Sequence, residues 1–238
     1  GWTGPVVIVK AQGFSGIGVK SLAAAYSMVR SIFYCRGKMK EMRPDVLLAM
    51  GSYASVGPVL AARSRGVRVV LHEANAVPGR AISMLSRHAD AVAVSHENTN
   101  RFFPGRKCVF TGFPVRKEIA AVARKAQSPE AFSILVLGGS QGAHAVNEVV
   151  SAALCSAHRA GLKLRVIHLS GLKDEAAMKA RYEQAGLPHE VHGFLKQMGR
   201  AYSGADFVIC RAGAATCSEL AALGPPGGVC QERKTGDP

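Results

Sequence analysis

Phe132–Ala143 reads FSILVLGGSQGA. The run Ile134–Leu137 is apolar without interruption, as a strand buried on both faces requires, and it breaks into Gly138-Gly139-Ser140-Gln141-Gly142. From Ala143 to Leu154 the apolar groups fall at helical spacing, so a strand passes through a glycine loop into a helix. The first N–H groups of such a helix lack intrahelical partners and carry a partial positive charge. The loop reads equally as an anion site and as a tight β-α turn that holds nothing.

The same unit recurs outward from this stretch. Val6–Val9 is a strand candidate, followed by a glycine-rich loop at 13–18 and a long helix over Ser21–Met42. Val46–Met50 reads as a buried strand leading into Gly51–Pro58, with a helix beginning by Val59. Val67–Leu71 ends at His72-Glu73-Ala74-Asn75, Pro78–His88 is helical, and Ala91–Ser95 and Cys108–Thr111 are strands. A charged, alanine-rich stretch, Lys117–Pro129, separates two halves. Beyond it come strands at 132–137, 164–169, near Val191 and at 207–210, with helices over Asp174–Ala185 and Met198–Ser203. The last strand runs into Arg211–Glu219 and a helix through Leu220–Leu223. This alternation predicts an α/β fold in two domains: 1–116, a linker at 117–130, and 131–238.

Charge narrows the partner. The 238 residues hold 30 Lys+Arg against 16 Asp+Glu, a formal charge of +14, which calls for an anion: nucleic acid, a phospholipid surface or a phosphorylated substrate. Aromatic residues are only 6% and do not interleave with basic ones, so a nucleic-acid partner is not expected. The six cysteines form no Cys-x-x-Cys pair and no zinc-ligand spacing, which predicts reduced thiols and no metal site. No apolar stretch approaches the roughly 20 residues that span a bilayer. The second half of the first helix carries Arg30, Arg36, Lys38, Lys40 and Arg43 around Ile32, Phe33, Tyr34 and Met39. Such a helix can lie on an anionic lipid surface or pack as an ordinary solvated helix.

Polar residues at the C-terminal ends of buried parallel strands sit where open α/β sheets bind ligands. His72 and Glu73 are therefore site candidates, or else they satisfy neighbouring backbone groups. In the second half, Gly213 permits close approach, Thr216 and Ser218 can donate to phosphate oxygens, and Glu219 can accept from a ribose diol. With Gly138–Gly142 this makes two loops in one domain, enough to hold a nucleotide diphosphate from two sides.

Five co-linear motifs resemble the MurG family of bacterial N-acetylglucosaminyltransferases. They are Met50-Gly51-Ser52-Tyr53, His72-Glu73-Ala74-Asn75, Gly112-Phe113-Pro114-Val115-Arg116, Gly138–Ala143 and Arg211–Glu219. The resemblance implies a GT-B architecture, two Rossmann-like domains with parallel sheets facing across a cleft. It implies transfer of N-acetylglucosamine from UDP-N-acetylglucosamine, a substrate with no cofactor needed, to the C4 hydroxyl of lipid I, in peptidoglycan synthesis at the cytoplasmic face of the inner membrane. Residue by residue, it places Ser140 and Gln141 near the diphosphate, Leu195 beside the uracil, and Ala214, Ala215, Thr216, Cys217 and Ser218 along the donor pocket. Glu219 falls on the ribose, Arg116 at a nucleotide-contacting hinge position, and Asn75 near the sugar. Gly51, Ser52, Tyr53, Ser55 and Gly57 match the loop for the acceptor pyrophosphate, and the basic helix at 30–43 the membrane-facing surface.

The family's first glycine loop, which carries its usual candidate base, has no counterpart here, and His72 and Glu73 are the base candidates left. After Leu223-Gly224 the tail has no apolar periodicity, so both ends read as incomplete, as in a truncated or frame-shifted fragment. Three other readings share these donor loops: a non-catalytic UDP-sugar or anionic-lipid binder, a related glycolipid glycosyltransferase, and a UDP-N-acetylglucosamine epimerase.

Overall fold

A computed structural model of the chain describes residues 4–9, 19–122, 130–138, 143–224 and 227–230. Its contacts divide it into two units, Gly1–Phe113 and Pro114–Pro238.

The first unit runs α1 (Val19–Met42), β1 (Val46–Ala49), a 3-10 turn at Tyr53–Ser55, α2 (Val56–Arg63), β2 (Arg68–Glu73), α3 (Arg80–Leu85), β3 (Ala91–Val94) and β4 (Cys108–Phe110). Its strands form a parallel sheet in the order β1-β2-β3-β4. Helical crossovers make this order natural, because parallel neighbours need a long connection and the helix buries one sheet face. On that face Val69, Leu71, Val92 and Val94 pack against Val56, Val59 and Ala62 of α2 and Ile82 and Leu85 of α3.

Three expectations fail here. Val6–Val9 has no regular structure, and Val6 and Ile8 are 76% and 83% exposed. Four apolar residues fit a strand, but a strand needs a ladder partner, and none pairs with them among the described residues. β1 is not buried on both faces: it lies at the sheet edge, and its Val46 and Leu48 are exposed. The helix read over Pro78–His88 is α helix only from Arg80 to Leu85, finishing in a 3-10 turn at Ser86–His88.

The second unit runs α4 (Lys117–Ala120), β5 (Phe132–Leu137), α5 (His144–Arg159), β6 (Leu164–Leu169), α6 (Glu175–Gln184), β7 (His189–His192), α7 (Met198–Ser203), β8 (Phe207–Arg211), α8 (Ala214–Leu223) and β9 (Gly227–Cys230). All its strands are parallel, in the order β7-β6-β5-β8-β9. β5 is central, and its side chains alternate between two cores. Ile134 and Val136 join Val146, Val150 and Leu154 of α5, whereas Leu135 and Leu137 join Ile119, Ala201 and Val208. A strand covered on both sides has no polar face, which is why FSILVL carries no alternation.

Composition placed a boundary at Arg116 with a linker to 130, whereas contacts divide the chain between Phe113 and Pro114. Val115 and Ile119 pack into the second unit's core. The tail also departs from its reading, since Gly227–Cys230 pairs in parallel with Val208–Arg211. The ladder is a backbone interaction and needs no apolar periodicity. Gly227 suits it, because a Cβ there would lie 2.8 Å from the Val208 carbonyl oxygen.

Candidate functional site

In the second unit, β5 and β8 are hydrogen-bonded neighbours from Ile134–Phe207 to Leu137–Cys210. Each delivers the chain to a helix, α5 and α8, whose N-cap residues Ala143 and Gly213 make no side-chain cap hydrogen bond. Their first-turn N–H groups are left to other partners. Gly138, at the end of β5, tolerates no side chain: a Cβ would sit 3.0 Å from Ala143 N, 3.1 Å from Asn147 Oδ1 and 3.3 Å from the Leu169 carbonyl oxygen. Ser140 and Gln141 lie outside the described residues.

Glu219 belongs to the second turn of α8 and is buried. Arg116 Nη2 donates to its Oε1 at 3.2 Å, and the Tyr202 hydroxyl donates to its Oε2 at 2.9 Å. Two site candidates 103 residues apart in sequence are thus joined directly. Each carboxylate oxygen keeps a lone pair for a further donor, such as a ribose hydroxyl. Burial, then the Glu219 carboxylate, push the Tyr202 phenol far above its ordinary range, so it stays a proton donor at any working pH. Ala214, Thr216, Cys217 and Ser218 are half-buried on the first turns of α8, and Ala215 is exposed. Leu195 packs against the Leu135 and Leu137 core, and it lines a cavity of about 260 Å³ with Arg165, His192 and Arg200.

Tyr202 was not visible as a site residue, since nothing in α7 alone distinguishes it from a core tyrosine. A buried network around Asn147 was equally silent. Asn147 Nδ2 donates to the Ser170 carbonyl and to Asp174 Oδ2, both at 2.8 Å, and its Oδ1 lies 3.1 Å from His168 Nε2. With Nε2–H donating there, His168 Nδ1 accepts from the Tyr182 hydroxyl at 2.9 Å. Burial lowers the His168 pKa to about 4, so the ring is neutral, and Asp174 in turn holds His144 Nδ1 at 3.1 Å. The network ties β6 and α6 to the first turns of α5, immediately behind Gly138.

In the first unit, β2 ends at His72 and Glu73, both buried. Glu73 is committed: Oε1 accepts from Asn75 N and Asn75 Nδ2, each at 2.9 Å, and Oε2 accepts from Gly79 N at 2.9 Å. These three bonds shape the turn that leaves Asn75 exposed, and Thr99, donating to the carbonyls of Asn75 and Ala76, braces it. His72 stands edge-on to Phe113 with Nε2 3.4 Å from Ser95 Oγ, while its buried Nδ1 has no partner among the described residues.

The β1–α2 segment does not form one open loop. Gly51 and Ser52 adopt φ of 91° and 68°, and Ser52 Oγ accepts from Ala54 N at 3.4 Å at the head of the 3-10 turn holding Tyr53 and Ser55. The Ser55 hydroxyl donates to the Gly51 carbonyl. Gly57 is already inside α2, where a Cβ would lie 2.2 Å from Ser31 Oγ of α1. Its lack of a side chain serves helix packing. Among the described residues no group of three metal-ligating side chains occurs, and no helix is long and apolar enough to cross a membrane.

Two parallel α/β units, each with candidate residues at strand C-termini, define a GT-B-like α/β fold. Residues 5–94 match the glycosyltransferase family 28 N-terminal domain and residues 133–232 its C-terminal domain. The crystal structure of Acinetobacter baumannii MurG is 31% identical, with a TM-score of 0.70 over 95% of this chain and 72% of that one. The UDP-N-acetylglucosamine–N-acetylmuramyl-(pentapeptide) pyrophosphoryl-undecaprenol N-acetylglucosamine transferases of Citrifermentans bemidjiense and a Geobacter species are 39% and 40% identical over 92% of this chain. The chain spans 62% and 60% of those relatives' lengths. A Neisseria meningitidis UDP-N-acetylglucosamine 2-epimerase shares the fold at 12% identity and a TM-score of 0.62. The chain belongs to the MurG family within glycosyltransferase family 28.

Proposed function

We propose that this chain is the greater part of an inverting N-acetylglucosaminyltransferase. Its donor would be UDP-N-acetylglucosamine, its acceptor the C4 hydroxyl of undecaprenyl-pyrophosphoryl-N-acetylmuramyl-pentapeptide (lipid I), and its product lipid II. The observation that carries this reading is the pair of uncapped helix starts on the adjacent strands β5 and β8, with Glu219 fixed beside them by Arg116 and Tyr202.

Charge develops on the departing diphosphate as the anomeric carbon is attacked, and preorganised N–H dipoles at the heads of α5 and α8 stabilise it there. Ser140 and Gln141 complete that cradle in this reading, and Ala214–Ser218 line the donor pocket. Glu219 accepts from the ribose diol while Arg116 and Tyr202 hold its carboxylate in place, and Leu195 flanks the uracil. In the first unit the exposed Asn75 is the residue offered to a sugar, and the Gly51–Ser55 turn receives the acceptor pyrophosphate. Glu73 acts as an anchor of the Asn75 turn, because its oxygens are occupied. His72, whose Nδ1 has no partner among the described residues, is the better candidate to take the acceptor proton. The exposed Tyr26, Val29, Phe33 and Tyr34 of α1, beside its basic residues, serve as a peripheral contact with an anionic inner-membrane surface on the cytoplasmic side.

Incubation with labelled UDP-N-acetylglucosamine and a short-chain lipid I analogue tests the assignment. Label transferred to the analogue, with UDP released in equal amount, is the expected result. UDP binding without transfer, even by a chain extended to the length of its relatives, would make this protein a nucleotide-sugar binder instead.

A further inference from the structure

Of the polar groups around the head of α5, one is not explained by the packing of the second unit. His144, the first residue of α5, has its side chain 75% exposed, and its Nδ1 lies 3.1 and 3.2 Å from the two Asp174 oxygens. Asn147, donating to Asp174 Oδ2 at 2.8 Å, and then His144 hold that carboxyl below its ordinary range. An ionised Asp174 only accepts, so His144 Nδ1 carries a proton. Its Nε2 makes no hydrogen bond among the described residues.

The contact is not needed to tie α5 to the head of α6, because Asn147 already does so from a buried position. An exposed pair adds little stability. A ring that can become cationic is also out of place at a helix start, where the dipole favours anions, and the first turn of α5 holds no acidic residue. Departures from local rules of this kind concentrate at functional sites. The ring is aimed as well. Asp174 follows β6, on one side of β5, and α8 follows β8, on the other. The two imidazole nitrogens diverge, so a ring whose Nδ1 faces Asp174 turns Nε2 away from the β6 side.

We propose that His144 is a binding residue for the diphosphate of the sugar nucleotide: Nε2 takes one proton from solvent as the ligand binds, and the resulting N–H donates to a phosphate oxygen. The inference rests on the sugar-nucleotide reading of the second unit and adds to it a proton-linked contact. Histidine is the side chain whose charge changes between pH 5 and 8, and a neighbouring anion favours its cationic form. Asp174 faces the ring from the head of α6, with Lys173 and Glu175, of opposite sign, on either side of it in the chain. On α5 itself, Glu148 lies one turn along and is bonded to Arg181 at 2.6 Å. From β6, His168 stands behind Asn147, fully buried, with its pKa lowered to about 4 by burial. Of these two histidines only His144 is open to a ligand.

Calorimetric titration of UDP-N-acetylglucosamine into the full chain at pH 6 and pH 8 tests it. Each phosphate of this ligand has a single acidic proton, lost well below that interval, so the ligand contributes no titration of its own. The variant is His144→Gln, exposed and uncharged, with its folding checked by circular dichroism. The parent should bind about fivefold or more tightly at pH 6 than at pH 8. At pH 7, titrations in buffers of different ionisation heat should show uptake of about half a proton. In His144→Gln the pH response should fall within about twofold and the uptake should vanish. An unchanged pH response and uptake in the variant would place the proton elsewhere, and a loss of affinity equal at both pH values would make His144 structural. Either result overturns the inference and leaves the sugar-nucleotide reading standing, as does a parent affinity that is independent of pH. No binding by the folded parent at either pH would overturn both.

Discussion

A methyl group at position 57 would lie 2.2 Å from Ser31 Oγ, so α1 and α2 approach over a glycine. Gly57→Ala should therefore cost about 2 kcal/mol in urea denaturation, and adding Ser31→Gly should recover most of the loss. In sequence Gly57 belongs with the small residues after β1 and reads as part of a ligand loop. A glycine pattern alone does not distinguish a backbone that must approach a ligand from one that must approach a helix. Ser52 presents the reverse case: with φ 68° and ψ 154° it occupies a region nearly reserved for glycine, at a strand C-terminus where ligands bind. Ser52→Gly should stabilise the chain by up to about 1 kcal/mol, strain relief outweighing the added freedom of the unfolded chain. A loss of stability would mean that the Ser52 cap on Ala54 matters more than the strain.

At the scale of the element, helices α5 and α8 are held by buried polar groups rather than by capping side chains. Tyr202→Phe leaves Glu219 Oε2 without its hydroxyl donor and should cost about 2 kcal/mol, with the melting temperature as the readout. The His168 network gives the second unit a pH dependence of definite sign. His168 has a pKa near 4 in the folded chain against 6.5 for the ordinary group, so the unfolded state binds more protons between those values. Its contribution, about 3 kcal/mol, is complete above pH 6.5 and is lost as the pH falls toward 4. Thermal unfolding at pH 7 and pH 5 should show this loss, and His168→Gln should flatten it. β5 was legible from sequence because a strand covered on both faces must be apolar throughout. β9 and the Val6–Val9 segment were misread for one reason: pairing depends on a neighbouring backbone, which a local pattern of side chains does not reveal. The Arg116–Glu219 contact spans 103 residues, and only its two ends were visible as motifs.

The whole molecule joins two parallel α/β units of one family, with His72 and Glu73 at the C-terminal end of β2 in the first and Gly213 just after β8 in the second. Tyr202, Ser95, Thr99 and the Asn147 network were not legible, because each acts through a partner distant in sequence. The central claim is that the second unit holds the uridine diphosphate part of a sugar nucleotide through Glu219 and the heads of α5 and α8. Calorimetric titration of UDP into the full chain, repeated with Glu219→Gln, addresses it most directly. The account predicts saturable one-to-one binding in the parent chain and affinity weaker by roughly tenfold or more in the variant, which loses a charged acceptor without losing shape. Absence of UDP binding by the folded parent, or equal affinity in the two proteins, would contradict it.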